Sequence, residues 1–188
     1  EIESLTPNCD AGESEKYLIP VNMKFSAPTD IKVEGDWSNA SFFLCAGAFS
    51  EGGVTVTDLD VSSPQGDKKI LGILKNMGAD VNVSGNEITV KGNMLKGITV
   101  DAGDIPDAVP IISVVAAACE GNTRIINAGR LRIKESDRIK SVADILSGFF
   151  RLCVNFKSDI LRVIPGVVAW ACWAIRAKYN ARQSTNLA

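Results

Sequence analysis

No histidine occurs anywhere in the 188 residues. That removes the commonest general base near neutral pH and the commonest metal ligand, so proton transfer falls to Asp, Glu, Lys or Cys. Cysteine is sparse and scattered. Cys9, Cys45, Cys119, Cys153 and Cys172 are odd in number and include no C-x-x-C spacing. Neither a disulfide framework nor a structural zinc site is expected, and the pattern suits a reducing, cytoplasmic setting. A dominant charge is missing as well. The 20 basic and 22 acidic side chains leave a net charge of −2, so nothing global selects nucleic acid or an anionic membrane. Any anion must be held by a local cluster. Glycine-rich phosphate loops are absent: there is neither G-x-x-x-x-G-K nor G-x-G-x-x-G. The apolar run from Ile160 to Ile175 is broken by Arg162, Pro165 and Gly166, which is too short and interrupted for a membrane span. No signal peptide is expected at the N-terminus, which begins on Glu1.

What is present is an ordinary globular composition, 46% hydrophobic and 22% charged, with enough chain for a sizeable core. Residues 1–30 are polar and turn-rich and read as the tail of an earlier unit or a crossover. From Ile31 strands and helices alternate. Strand Ile31–Glu34 precedes a helix over about Ser38–Phe49, then strand Val54–Leu59 and a helix over about Asp67–Met77. Strands Asp80–Val83 and Glu87–Lys91 close on Ser84-Gly85-Asn86, a hairpin signal. The order then restarts with strand Ile98–Asp101, a helix over about Pro106–Cys119, strand Thr123–Asn127 and a helix after Lys134. Gly52-Gly53-Val54-Thr55-Val56 corresponds to Gly121-Asn122-Thr123-Arg124-Ile125 at an offset of 69. The unit is therefore strand–helix–strand–helix–strand–strand, repeated across 31–166. Val154–Phe156 and Ile160–Ile164 are its second closing hairpin. The Pro106–Cys119 helix is apolar almost all round and is expected to be buried, with Cys45 and Cys119 as small core residues. Sheets outside and helices inside would gather the helix N-termini at one end, a positive field suited to an anionic substrate.

Chemistry concentrates where the last strand gives way to the last helix. Between Arg130 and Lys140 lie five basic and two acidic side chains in eleven residues. Lys134 and Arg138, four apart, would share a helical face, with Glu135 and Asp137 beside them. A charge run at a helix start is commonly a solvated face with a cap, here Ser136 or Asp137. It is also what a site handling an anion and a proton needs. Asp107 falls in the first turn of the buried helix, either as a simple N-terminal carboxylate or as a general base at a rigid mouth. Asp36 or Ser38 is placed to cap the first helix, and Ser63-Pro64-Gln65-Gly66-Asp67 to open the second.

Four segments occur in order: V-E-G-D-W-S-N-A-S-F-F (Val33–Phe43), Q-G-D (Gln65–Asp67), D-I-P-D-A (Asp104–Ala108) and R-I-K-E-S-D-R-I (Arg132–Ile139). Together they resemble the 3-phosphoshikimate 1-carboxyvinyltransferases, also called 5-enolpyruvylshikimate-3-phosphate synthases, over about Tyr17 to Leu146. The resemblance implies an α/β fold of enolpyruvyl transferase-like strand–helix–strand–helix–strand–strand repeats with buried helices, three per domain. This chain would be mostly the C-terminal domain, with 1–30 as the end of the first domain and the crossover, and 167–188 as a divergent tail. The implied reaction moves the enolpyruvyl group of phosphoenolpyruvate to the 5-hydroxyl of shikimate 3-phosphate. It proceeds by addition and elimination, releases phosphate, and uses neither metal nor organic cofactor. The step belongs to aromatic amino-acid biosynthesis, and glyphosate competes for the phosphoenolpyruvate site.

Carried over position by position, the resemblance makes Asp107 a ligand of shikimate 3-phosphate and the acceptor of the 5-hydroxyl proton. Lys134 would contact shikimate 3-phosphate, Glu135 would move a proton at the enolpyruvyl carbon, and Arg138 would hold phosphoenolpyruvate. An arginine fork on a carboxylate or phosphate and a compact lysine charge fit those tasks. Counterparts of the family's N-terminal lysine–serine–arginine cluster, its Gly-rich arginine segment, its serine–glutamine segment and its D-H-R motif are absent from the sequence, as is an asparagine that some members carry near Arg130. Beyond Gly148 the pattern fades. A frameshifted or incomplete coding sequence is the reading this motivates, and an uninterrupted frame at the source locus would overturn it. The family's catalysis lies between two domains, so little or no turnover is expected of this chain by itself. The full-length protein is expected to be a monomer. Two alternatives stand beside this reading: a catalytically silent unit that only binds or folds, and the related UDP-N-acetylglucosamine enolpyruvyl transferase, which uses a cysteine acid and lacks K-E-S-D-R.

Overall fold

In the computed structural model, residues 32–148 are described continuously, with Glu3–Ser4, Tyr17–Leu18, Asp30, the backbone of 149–150 and 153–157, and Ile160–Ile164. The chain divides into two units, Glu1–Val33 and Glu34–Ala188. In the first, β1 (Glu3–Ser4) pairs antiparallel with β2 (Tyr17–Leu18). Most of the expected 1–30 crossover and all of the expected 167–188 tail lie outside the described residues.

The second unit repeats one motif. Helix α1 (Trp37–Gly47), strand β3 (Val54–Val56), helix α2 (Ile70–Met77) and the hairpin β4 (Asp80–Ser84) to β5 (Glu87–Lys91) come first. Strand β6 (Thr99–Asp101), helix α3 (Val109–Ala117), strand β7 (Thr123–Ile126), helix α4 (Arg138–Phe150) and strands β8 (Cys153–Lys157) and β9 (Ile160–Ile164) follow. The sheets have matching orders, β3-β5-β4 and β6-β7-β9-β8, with β6 parallel to β7 and every other pair antiparallel. Topology thus confirms the duplication read from the glycine–strand offset. One member differs. Of the expected opening strand Ile31–Glu34, Ile31 lies outside the described residues, and Lys32–Glu34 make no ladder. Val33 is 85% exposed, and a strand whose apolar residue finds no core has nothing to fix its register.

Local chemistry explains the boundaries. Asp36 caps α1, its carboxylate accepting from the backbone N–H groups of Ser38 at 2.9 Å and Asn39 at 3.4 Å, as an N-cap should. A 3₁₀ turn over Gly66–Lys69 leads into α2, which buries Ile70, Leu74 and Met77 along one stripe. It ends on Gly78 in the left-handed region, φ +104°, where a side chain would be strained. Gly85, φ +58°, makes the two-residue hairpin turn between Ser84 and Glu87, as its position predicts.

Helix α3 buries residues on every side, among them Val109, Ile112, Val115 and Ala116. It packs against α1, α4 and β9, while α1 also lies on β3 and β5. Helices therefore sit between the sheets, as their apolar surfaces require. Cys45 and Cys119 are buried in this layer, and burial pushes both thiols up to about 12. No helix among the described residues is long and apolar enough to cross a membrane.

Candidate active site

The structure places the entrances of the four helices described in the second unit in one linked chain. At the entrance to α1, Ser38 donates its hydroxyl to the buried carboxylate of Asp67, at the entrance to α2. Gln65 spans the same gap: its Oε1 accepts from Trp37 N at 3.0 Å, and its Nε2 donates to Gly35 O at 3.0 Å. Two of the motif segments are thereby clasped together. From the α2 entrance, Lys69 reaches Asp104 at 2.5 Å, in the turn before α3. From that turn, Asp107 reaches the segment before α4.

Two expectations need correcting here. Helix α3 starts at Val109, not Pro106, so Asp107 lies in the turn ahead of the helix. The cause is visible in the turn: Ile105 N–H donates to Ala102 O and Ala108 N–H to Ile105 O, short-range bonds that replace the first helical turn. Helix α4 starts at Arg138, so Lys134 and Arg138 do not share a helical face. A 3₁₀ segment, Gly129–Ile133, ends at Lys134, whose backbone is extended (φ −76°, ψ −171°). Asp137 then caps α4, accepting from Lys140 N–H at 3.1 Å, while Arg132 Nη1 pairs with its other oxygen at 2.9 Å.

The two cations nevertheless converge. Arg138 Nη1 donates to Asp107 Oδ1 at 2.5 Å, and Lys134 Nζ lies 3.4 Å from the same oxygen. Arg138 also forks onto Glu135 Oε1, with Nε at 3.0 Å and Nη2 at 2.5 Å. All four expected site residues, Asp107, Lys134, Glu135 and Arg138, form one cluster. Arg138 is its most sheltered member, 23% exposed, against 69% for Glu135.

Electrostatics follow from that arrangement. The hydrogen bond from Arg138 chiefly holds the Asp107 carboxyl below its ordinary range, with Lys134 adding to it. The same guanidinium lowers Glu135, and the two carboxylates in turn raise Arg138. Both acids are ionised at neutral pH, and both are poor bases while the cations face them. The cluster is a balanced set of two anions and two cations. An incoming carboxylate or phosphate must therefore compete for Arg138 and Lys134 with the protein's own carboxylates.

Sequence reasoning did not identify what holds the Asp107 turn. Asp101 accepts from Asn127 Nδ2 at 2.9 Å and from Gly103 N–H at 2.9 Å, and Arg130 Nη1 lies 3.4 Å from Gly103 O. Asn127 adopts φ +55°, a conformation asparagine tolerates better than most residues. An asparagine directly after a strand was the available signal. Neither buried thiol stands in the cluster: Cys45 lies within α1 and Cys119 beyond the far end of α3.

Comparison with known proteins agrees with this architecture. A family model described as EPSP synthase (3-phosphoshikimate 1-carboxyvinyltransferase) matches residues 9–178. The 3-phosphoshikimate 1-carboxyvinyltransferase of Clostridium novyi (strain NT) is 46% identical over 168 residues, covering 89% of this chain and 35% of that protein. The protein of the same name from Brachyspira hyodysenteriae (strain ATCC 49526 / WA1) is 47% identical over 149 residues, covering 78% and 34%. Among solved structures, an EPSP synthase from Acinetobacter baumannii superposes with a TM-score of 0.59 at 30% identity, covering 71% of this chain and 32% of that one. The enolpyruvyl transferase NikO from Streptomyces tendae shares the fold at 21% identity and a TM-score of 0.55, covering 72% and 31%. The chain spans about a third of the length of the relatives it matches.

Proposed function

The chain belongs to the EPSP synthase (3-phosphoshikimate 1-carboxyvinyltransferase) family, and from that premise we propose that its cluster is one wall of an enolpyruvyl-transferring site. The observation that carries the reading is the meeting of Asp107, Lys134 and Arg138 on a single carboxylate oxygen, with Glu135 on the same fork. Arg138 presents a planar donor set to the carboxylate or phosphate of phosphoenolpyruvate. Lys134 supplies a point charge to shikimate 3-phosphate. The 5-hydroxyl oxygen of that acceptor attacks C2 of phosphoenolpyruvate as its proton passes to Asp107. Glu135 serves the proton that C3 gains on addition. Elimination then returns a proton from C3 and expels phosphate. The segments 1–30 and 31–166 correspond, in this reading, to the end of a first domain with its crossover and to repeats of a second domain.

Substrate arrival also changes the bases. While Arg138 faces Asp107 and Glu135, both carboxyls are held low. An anion that takes the guanidinium releases them toward their ordinary range, where proton exchange is easier. Binding and the readiness of the acid–base pair are thus coupled through one side chain.

Glu135→Gln tests this. It removes a competitor for Arg138 without removing the fork, so phosphoenolpyruvate should bind roughly two- to fivefold more tightly than to the parent chain, within the range for exposed ion pairs. Calorimetric titration at fixed salt measures it. Unchanged or weaker binding would count against an anion site at Arg138.

A further inference from the structure

The Asp107 turn is pinned from two directions, and one of them comes from the other repeat. Gly66, at the entrance to α2, lies so close to the turn that a Cβ there would sit 2.3 Å from the backbone oxygen of Asp104. Ordinary contact begins near 3.4 Å, so a methyl group would drive the turn back by about 1 Å in a packed setting. Three residues further along, Lys69 holds the Asp104 carboxylate at 2.5 Å. On the opposite side the turn is fixed by Asn127 and Arg130, which lie just ahead of the Lys134–Arg138 segment. Ala102, Ile105 and Ala108, buried beneath the turn, leave it little room to settle elsewhere.

We propose that Gly66, assisted by Lys69, is a positioning residue for Asp107: the first repeat sets where the second repeat's carboxylate meets Lys134 and Arg138. The inference rests on the reading of Asp107 as a site carboxylate. It adds that the site's geometry depends on a contact between repeats, at a glycine outside the Asp107, Lys134, Glu135 and Arg138 cluster. Contact distances explain the sensitivity. Asp107 meets Arg138 at 2.5 Å and Lys134 at 3.4 Å, and charge-assisted hydrogen bonds of this kind weaken steeply when a partner shifts by an ångström.

The experiment is a carbon-detected titration of the Asp107 carboxyl in the whole chain, paired with phosphoenolpyruvate binding. The Asp107 midpoint should lie below the ordinary carboxylate range in the parent. Gly66→Ala should move it upward and, by drawing a competing carboxylate off Arg138, tighten phosphoenolpyruvate binding, whereas a contact serving only stability would lower the melting temperature and leave both the midpoint and the binding in place. Lys69→Gln, at an exposed pair, decides the case if Gly66→Ala does not fold. It should move the midpoint the same way, and Lys69→Arg should restore it. A folded Gly66→Ala chain with the parent's midpoint overturns the proposal, as does an unmoved midpoint in Lys69→Gln when Gly66→Ala fails to fold. Absence of phosphoenolpyruvate binding by the parent would instead refute the functional reading, and the carboxyl titration would still judge the positioning.

Discussion

Arg138→Ala is expected to weaken phosphoenolpyruvate binding by about tenfold or more. Among the four site residues Arg138 alone bridges two carboxylates, and its fork is the one planar donor set in the cluster. A hydrogen bond to a charged group contributes about 1.5–3 kcal/mol, and a fork makes two. Arg138→Lys should fall between parent and alanine, because a point charge replaces the fork. Arg138→Ala leaves Asp107 with Lys134 at 3.4 Å as the remaining cation of the cluster, so its carboxyl should rise. The sign of the pH effect follows. A depressed folded-state pKa stabilises the fold above the ordinary carboxylate range, and that contribution disappears as pH falls through the lowered value. The parent's melting temperature should therefore drop more on acidification than that of Arg138→Ala. Calorimetric titration and melting curves against pH measure both effects. Parent-like binding by the alanine variant would remove Arg138 from the anion site.

The largest loss of stability is expected at Trp37. Its side chain is fully buried, its Nε1 donates to Asp60 O at 3.1 Å, and its backbone N–H donates to Gln65 at 3.0 Å. Trp37→Ala should cost about 3–5 kcal/mol, the usual result of emptying a large buried site. That is a large share of the ~5–15 kcal/mol that holds a domain folded. Trp37→Phe fills most of the volume and removes one of two donors to the Asp60 carbonyl, which keeps the Ser63 N–H at 3.1 Å, costing about 0.5–1.5 kcal/mol. Urea unfolding midpoints compare the three chains. A cost below about 1 kcal/mol for alanine would mean that Trp37 does not anchor the α1 entrance as its burial indicates.

Much of this was legible in the sequence because period and punctuation are local. The glycine–strand offset announced the duplication, Ser84-Gly85-Asn86 the hairpin, and the all-round apolar 106–119 run a buried helix, and each is found within a few residues. Helix starts were read too early at Pro106 and just after Lys134. Apolar periodicity continues through both places, but short turn bonds before Val109 and the Asp137 cap before Arg138 delay the helices. Lys134 and Arg138 were expected to meet along a helix face. They meet instead because a 3₁₀ segment and an extended residue aim both at Asp107, which no spacing rule encodes. Over the described residues of the expected strand Ile31–Glu34 no ladder forms, and Val33 is exposed there with no core to enter. Gly66 was visible as turn chemistry, but its tie to Asp104 depends on how one repeat packs on another, which only the folded chain reveals.

The central claim is that Asp107 and Lys134 receive the anionic acceptor, shikimate 3-phosphate, while Arg138 holds phosphoenolpyruvate beside them. The most direct measurement is a titration of the whole chain with shikimate 3-phosphate, with and without phosphoenolpyruvate, read by side-chain chemical shifts and by released phosphate. The account predicts saturable shifts of Asp107 and Lys134 with shikimate 3-phosphate and of Arg138 once phosphoenolpyruvate is added, loss of the shikimate 3-phosphate shifts in Asp107→Asn and Lys134→Ala, and little phosphate release from this chain alone. A folded chain in which shikimate 3-phosphate leaves Asp107 and Lys134 unperturbed, or binds equally well without them, would contradict it.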